Sequence, residues 1–308
     1  MYEYTEEKMT VERKFGWIGP SKPDMRNKIF PSLAPTIDPT KPIDISAGDT
    51  PVYNQNGFGE CTGMACKSAF EYWQKKNFAG KYTDVSAMFI YKMARDLLGL
   101  HGDSGATLKA VTMAANKYGC PPTTSWPNTA KNLNKEPTAA VKATAKLTEA
   151  IGYYNIDVPG KSLNQIFLDS LGAFSVAGLP FIAGVPVYAS YDQGEKTGWF
   201  PYPVKGEAIV GGHALEYCAW LPDLVITNET DGSTTTGAYK FKNSWDTTWG
   251  DHGYGYLPKK YADMGLLTDY WVITLESHIA KMIGRIATVN GGTLEPINPS
   301  VMVENNTG

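Results

Sequence analysis

Cys61 is the first residue whose position suggests chemistry. From it, Met64, Ala65, Ala69, Tyr72 and Trp73 recur at three- and four-residue steps, the spacing of one buried helix face, with Gly59 just upstream to suit the entering turn. A helix beginning at Cys61 turns its unpaired backbone N–H groups and positive dipole end toward the sulfur, which favours the attacking thiolate over the thiol. A cysteine without such placement is ordinarily a small buried hydrophobe. Cys66, within the helix, Cys120, before a Pro-Pro turn, and Cys218, within a strand, are therefore assigned to packing. Gln55 lies six residues ahead of Cys61 in Pro51-Val52-Tyr53-Asn54-Gln55. Its amide suits one donor to an oxyanion, with the Cys61 backbone N–H as the other.

Further along come Gly211-Gly212-His213-Ala214, then Phe241-Lys242-Asn243-Ser244-Trp245, then Trp249-Gly250-Asp251-His252-Gly253-Tyr254-Gly255-Tyr256. A Gln, a Cys opening a helix, a Gly-flanked His on a strand, and Asn-Ser-Trp leading into Trp-Gly and Gly-Tyr-Gly all occur in order. The chain resembles the papain-like cysteine peptidases (peptidase C1), in the style of the bacterial xylellain-like members. The resemblance runs from about Pro51 to Leu275 and includes Ser86 to Tyr91 and Gly105-Ala106-Thr107-Leu108 through Gly119, where the family has its second helix and glycine-lined cleft wall.

The resemblance implies an α+β papain-like fold, with a helical half, an antiparallel β-barrel-like half and a cleft between them. It implies Cys61 as nucleophile, His213 as its base and later acid, Asn243 as the orienter of the imidazole, and Gln55 completing the oxyanion hole. An amide orienter holds a ring nitrogen without adding a charge. Gly105, Gly212 and Trp245 are implied as substrate-binding, Trp245 also shielding the His213–Asn243 bond from water. The implied activity is peptide-bond hydrolysis through a thioester acyl-enzyme, on peptide or protein substrates, without metal or organic cofactor. The alternatives are a papain-fold structural or binding module with little turnover, or a cell-wall peptide amidase using the same pair. His101, His252 and His278 lack comparable surroundings and read as surface or structural residues.

The sequence departs from the family pattern beside the nucleophile. Thr62 stands where Trp is usual, and Glu60 places a carboxylate next to the sulfur, to weaken an ion pair or bind substrate. Asp246 stands where Gly often follows Asn-Ser-Trp. The stretch from Leu221 to Gly237, rich in Thr, Asn and Gly, reads as a loop insertion on the β half, a cleft rim or interaction site. The family's helical propeptide is replaced by a short arm carrying Phe15-Gly16-Trp17-Ile18 and Lys22 to Arg26, expected to lie over the cleft as an autoinhibitory contact or to pack on the β half.

The elements that must position these residues follow from texture. Residues 1–50 are proline-rich and aperiodic, an extended arm. Residues 51–135 form a mainly helical half, with further helices expected over Val85 to Leu98 and Thr107 to Tyr118, the latter stopped by Gly119 and Pro121. Residues 136–275 form a mainly β half after a polar Ala/Lys/Thr-rich stretch. Its strands are expected at Pro180 to Ser190, Ile209 to Leu221, Tyr239 to Lys242, Gly253 to Leu257 and Tyr270 to Leu275. Residues 276–308 are a polar tail suited to an assembly partner.

With 28 Lys and Arg against 31 Asp and Glu, the chain lacks the basic footprint of a nucleic-acid or anionic-membrane binder. The uncharged run from Ser170 to Tyr191 is broken by Pro180 and Pro186 and reads as turn plus strand, not a membrane span. With no secretory signal at the start and four cysteines in a chain this long, a disulfide framework is not expected and cytoplasmic residence is the default. Residence in an assembled particle and non-classical export are the alternatives.

Overall fold

The computed structural model describes residues 13–148, 152–275 and 277–280. Three helices carry the first part: α1 (Cys61–Asn77), α2 (Ala87–Leu98) and α3 (Leu108–Tyr118). Ser86 and Thr107 cap α2 and α3 by accepting from the N–H groups of Phe89 and Ala110, and Gly99 and Gly119 end them in left-handed conformations. Every residue of α1 from Cys61 to Gln74 is buried, so the helix runs through the protein instead of lying on it. Its polar residues are accommodated by pairing: the Lys67 ammonium lies 3.4 Å from Glu71 and also meets Asp84. Gly63 lets α1 and α2 approach closely, since a Cβ there would fall 2.7 Å from the Ala87 carbonyl oxygen.

The polar stretch that follows contains two short helices, α4 (Ala130–Asn134) and α5 (Ala139–Ala145). The second part is built on an antiparallel sheet of β1 (Ile43–Asp44), β2 (Gly152–Asn155), β3 (Phe181–Tyr188), β4 (Ile209–Thr227), β5 (Thr234–Lys242), β6 (Tyr254–Pro258) and β7 (Thr268–Thr274). Its order is β2-β7-β3-β4-β5-β6, with β1 from the arm pairing β4 as Ile43 opposite Trp220. The sheet is not closed into a barrel, and β2 and β6 lie at opposite ends of this order. An aromatic cluster fills one face, with the Phe181 ring stacked 4.9 Å from Tyr217 and packed edge-on against Tyr239. Helix α6 (Leu163–Gly172) lies against this cluster, its Phe167 ring 5.1 Å from Trp220. A π-helical turn over Ala173–Ala177 leads from α6 toward β3.

Two expectations need correction. The segment read as a loop from Leu221 to Gly237 is largely a β-hairpin: β4 and β5 pair beyond a bulge as Val225 with Thr236, Ile226 with Thr235 and Thr227 with Thr234. The β half also holds α6, which the strand texture around it concealed. The expected assembly-contact tail lies almost entirely outside the described residues. Among the described residues, no helix is long and apolar enough to cross a membrane.

Candidate active site

Cys61, at the first position of α1, lies with its sulfur near the Ala214 N–H on β4. Beside Ala214 on β4, His213 is fully buried, and its Nε2 lies 2.9 Å from Asn243 Oδ1, just beyond the end of β5. The same Oδ1 accepts from the Ser244 N–H at 2.8 Å, which fixes the amide orientation. Nε2 therefore carries the hydrogen, and Nδ1, which has no hydrogen-bond partner, carries the lone pair. Trp245 stacks over the imidazole at 4.7 Å and 18°. Gln55 is clamped from the other side: its Oε1 accepts from Ser244 Oγ at 2.6 Å and its backbone N–H donates to the Ser244 carbonyl. Ser244 thus positions both amides. Sequence reasoning gave it no role of its own, although its place in Asn-Ser-Trp was a signal.

The arm runs through this cleft. Lys14 presents its carbonyl oxygen to Gln55 Nε2 at 2.9 Å, and Phe15 packs edge-on against His213, Trp245 and Tyr191. Trp17 donates its N–H to the Gly212 carbonyl at 2.9 Å and pairs in parallel with Ala106, whose N–H donates to the Gly16 carbonyl. Charged contacts hold the same segment, Arg13 with Glu195 and Lys14 with Asp103 at 2.7 Å, while the Arg13 guanidinium covers Trp245 at 4.4 Å. The fit depends on missing side chains. A Cβ on Gly105 would fall 2.5 Å from the Gly16 carbonyl oxygen, and one on Gly16 would fall 1.7 Å from that of Gly59. All three residues expected to bind substrate, Gly105, Gly212 and Trp245, contact the arm.

Burial under the arm changes the electrostatics. Desolvation pushes the Cys61 thiol up to about 11, against the pull of the N–H groups of Ala214, Gly16, Thr62 and Trp17. With the arm in place, removing water from the sulfur outweighs the pull of these N–H groups, so the covered state favours the thiol where the helix start was expected to favour the thiolate. Desolvation also pulls His213 down to about 4, with the Arg13 charge adding to the effect and the Asn243 bond opposing it. The closed cleft therefore holds a neutral thiol and a neutral imidazole at pH 7. Glu60 does not face the cleft as a substrate contact. It is fully buried and accepts from Asn128, and burial raises its pKa.

No protein-family model matches the chain. An uncharacterized peptidase C1-like protein of Acanthamoeba polyphaga mimivirus is 28% identical over 286 residues, covering 86% of this chain and 88% of the viral protein. Xylellain, a cysteine protease from Xylella fastidiosa, matches in structure with a TM-score of 0.68 at 24% identity, over 85% of this chain and 97% of its own. The fold is papain-like. Bromelain from Ananas comosus in complex with the inhibitor E64 matches at a TM-score of 0.53 and 20% identity, over 76% of this chain and 99% of bromelain. The digestive procathepsin L 3 of Tenebrio molitor, a proenzyme, matches at 0.59 and 16%, over 85% and 76%. The fold packs α1, which Cys61 opens, against β4, which carries His213. His101 and His252 are exposed, and His278 meets Thr274 and Trp73.

Proposed function

We propose that this chain is a cysteine peptidase and that the described conformation is its arm-closed form. The reading is supported by the extended arm, which places the Lys14 carbonyl on Gln55 Nε2 and the Phe15 ring against His213, itself bonded to Asn243. With the arm displaced, His213 Nδ1 takes the Cys61 proton and the thiolate attacks the substrate carbonyl. The tetrahedral oxyanion is held by Gln55 Nε2 and the Cys61 backbone N–H. His213 then returns the proton to the leaving amine, and water activated by the same nitrogen hydrolyses the thioester. Asn243 keeps the ring in the required tautomer throughout.

The arm's peptide groups are held in place: the Lys14 carbonyl takes up Gln55 Nε2, the Ala106 N–H holds the Gly16 carbonyl, and the Gly212 carbonyl takes the Trp17 N–H. The Gly16→Val substitution is expected to displace the arm without truncation, because its side chain would clash with the Gly59 carbonyl. In that full-length background, Cys61→Ala or His213→Ala is expected to lower peptide hydrolysis by at least about 10³-fold, and Asn243→Ala by less. Turnover retained by either of the first two variants contradicts the assignment.

A further inference from the structure

The loop from Gln55 to Cys61, which joins the two donors assigned to the oxyanion, turns over Asn56-Gly57. Both residues have positive φ, +50 and +77, and the Phe58 N–H closes the turn by donating to the Gln55 carbonyl at 3.1 Å. Both are exposed, and a Cβ built on Gly57 would meet nothing within 4 Å. Asn54 Oδ1 holds the Asn56 N–H at 2.8 Å, but among the described residues neither the Asn56 carboxamide nor the Gly57 N–H has a hydrogen-bond partner. The flanks of the turn are fixed. The Gln55 N–H donates to the Ser244 carbonyl at 3.0 Å, and the Gly59 N–H donates to both Asp103 carboxylate oxygens at 3.0 Å. Between these anchors the Phe58 carbonyl accepts from Gln55 Nε2 at 2.6 Å, so the turn itself aims the amide.

We propose that Asn56 is a site of spontaneous deamidation and that its product withdraws Gln55 from the oxyanion. Hydroxide takes the Gly57 amide proton, the nitrogen bonds to Asn56 Cγ, and the Cγ–Nδ2 bond breaks as ammonia leaves with a proton from water. Water then opens the succinimide at either carbonyl. Breaking the bond between the Gly57 nitrogen and Cγ gives aspartate. Breaking the bond between that nitrogen and the Asn56 main-chain carbonyl carbon gives isoaspartate, whose main chain runs through Cβ and Cγ. Asparagine is chemically labile, and a following glycine removes the side chain that would hinder the attack. Isoaspartate makes the main chain one carbon longer between Gln55 and Gly59. Because both are anchored, the extra atom is taken up at Phe58, and its carbonyl moves off Gln55 Nε2. The new carboxylate also adds a negative charge to the loop that must stabilise one. The modification goes beyond the peptidase reading, and its effect on turnover rests on that reading.

The test ages the full-length native chain and the full-length Gly16→Val chain in mildly alkaline buffer. Peptide mapping reads the mass gain of an NH2-to-OH exchange, and an isoaspartyl methyltransferase labels isoaspartate. Mapping also separates Asn56 from Asn290-Gly291, which lies outside the described residues. Asn56 should convert in both chains. In Gly16→Val, converted molecules should lose at least about tenfold in kcat with a smaller change in KM, the signature of a displaced oxyanion donor. Adding Asn56→Gly, which suits the positive φ, should preserve kcat through the same ageing. Three results would overturn the proposal: an Asn56 left intact while a free peptide of residues 53–60 converts, conversion that leaves kcat unchanged, or an Asn56→Gly protein that loses kcat as fast as its parent. Conversion of Asn56 in a chain that hydrolyses no peptide before or after ageing would instead overturn the peptidase reading and support the modification site.

Discussion

Gln55 is fixed from two sides, by Ser244 through its oxygen and by Phe58 through its nitrogen, so its remaining donor capacity has one direction, the one Lys14 now fills. Gln55→Ala in the arm-displaced background should lower kcat by roughly 10² to 10³ with a smaller change in KM, since an oxyanion donor acts on the tetrahedral state. Steady-state kinetics on one peptide read this, and a change confined to KM would deny Gln55 that role. The types and spacing of Cys61, His213 and Asn243 were legible because each sits in a short local pattern. Their ionisation was not, because the burial that sets it comes from residues 13–18, remote in sequence. That burial has a pH signature. Burial and the Arg13 charge, which the arm brings, pull His213 down to about 4, so protonation of the ring opposes closure and acidification favours release of the arm. Hydrogen exchange of residues 14–18, corrected for intrinsic rate, should show less protection at pH 4.5 than at pH 7; equal protection would contradict the assignment.

At the scale of elements, α1 to α3 were readable because periodicity and punctuation agree: Ser86 and Thr107 cap, and Gly99 and Gly119 terminate. Helix α6 had a signal as well, Ser162 with Gln165 three residues on, and the Ser162 side chain does accept from the Gln165 N–H. The β4–β5 hairpin was missed because its outer rungs are threonines flanking an Asn- and Gly-bearing turn, a composition shared by exposed strands and loops. The crossing of α1 over α2 is a matter of space that composition cannot disclose. Gly63→Ala would push a methyl to 2.7 Å from the Ala87 carbonyl and should destabilise the fold by about 1–3 kcal/mol. Urea unfolding measures it, and an unchanged midpoint would show that the helices have room to part. Since α1 carries Cys61, any such parting also shifts the nucleophile.

Across the whole molecule, the arm is what converts two packed halves into a closed protein. Phe15 and Trp17 announced a need for apolar cover, and the cleft was the expected place. Their partners were invisible, because Asp103, Glu195, His213 and Asp269 reach the arm from positions about 90 to 250 residues away. Closure depends on Gly16 passing under the Gly59 carbonyl, where a Cβ would lie at 1.7 Å, so one substitution tests site and strap together. The measurement is the intact mass and labelled position after exposure to an epoxide inhibitor of cysteine peptidases, comparing the native chain with Gly16→Val at pH 7. The account predicts one adduct, on Cys61, forming at least about tenfold faster in Gly16→Val than in the native chain, because a tethered competitor has been removed. A folded Gly16→Val protein that takes no label on Cys61, or takes it no faster than the native chain, would contradict the account.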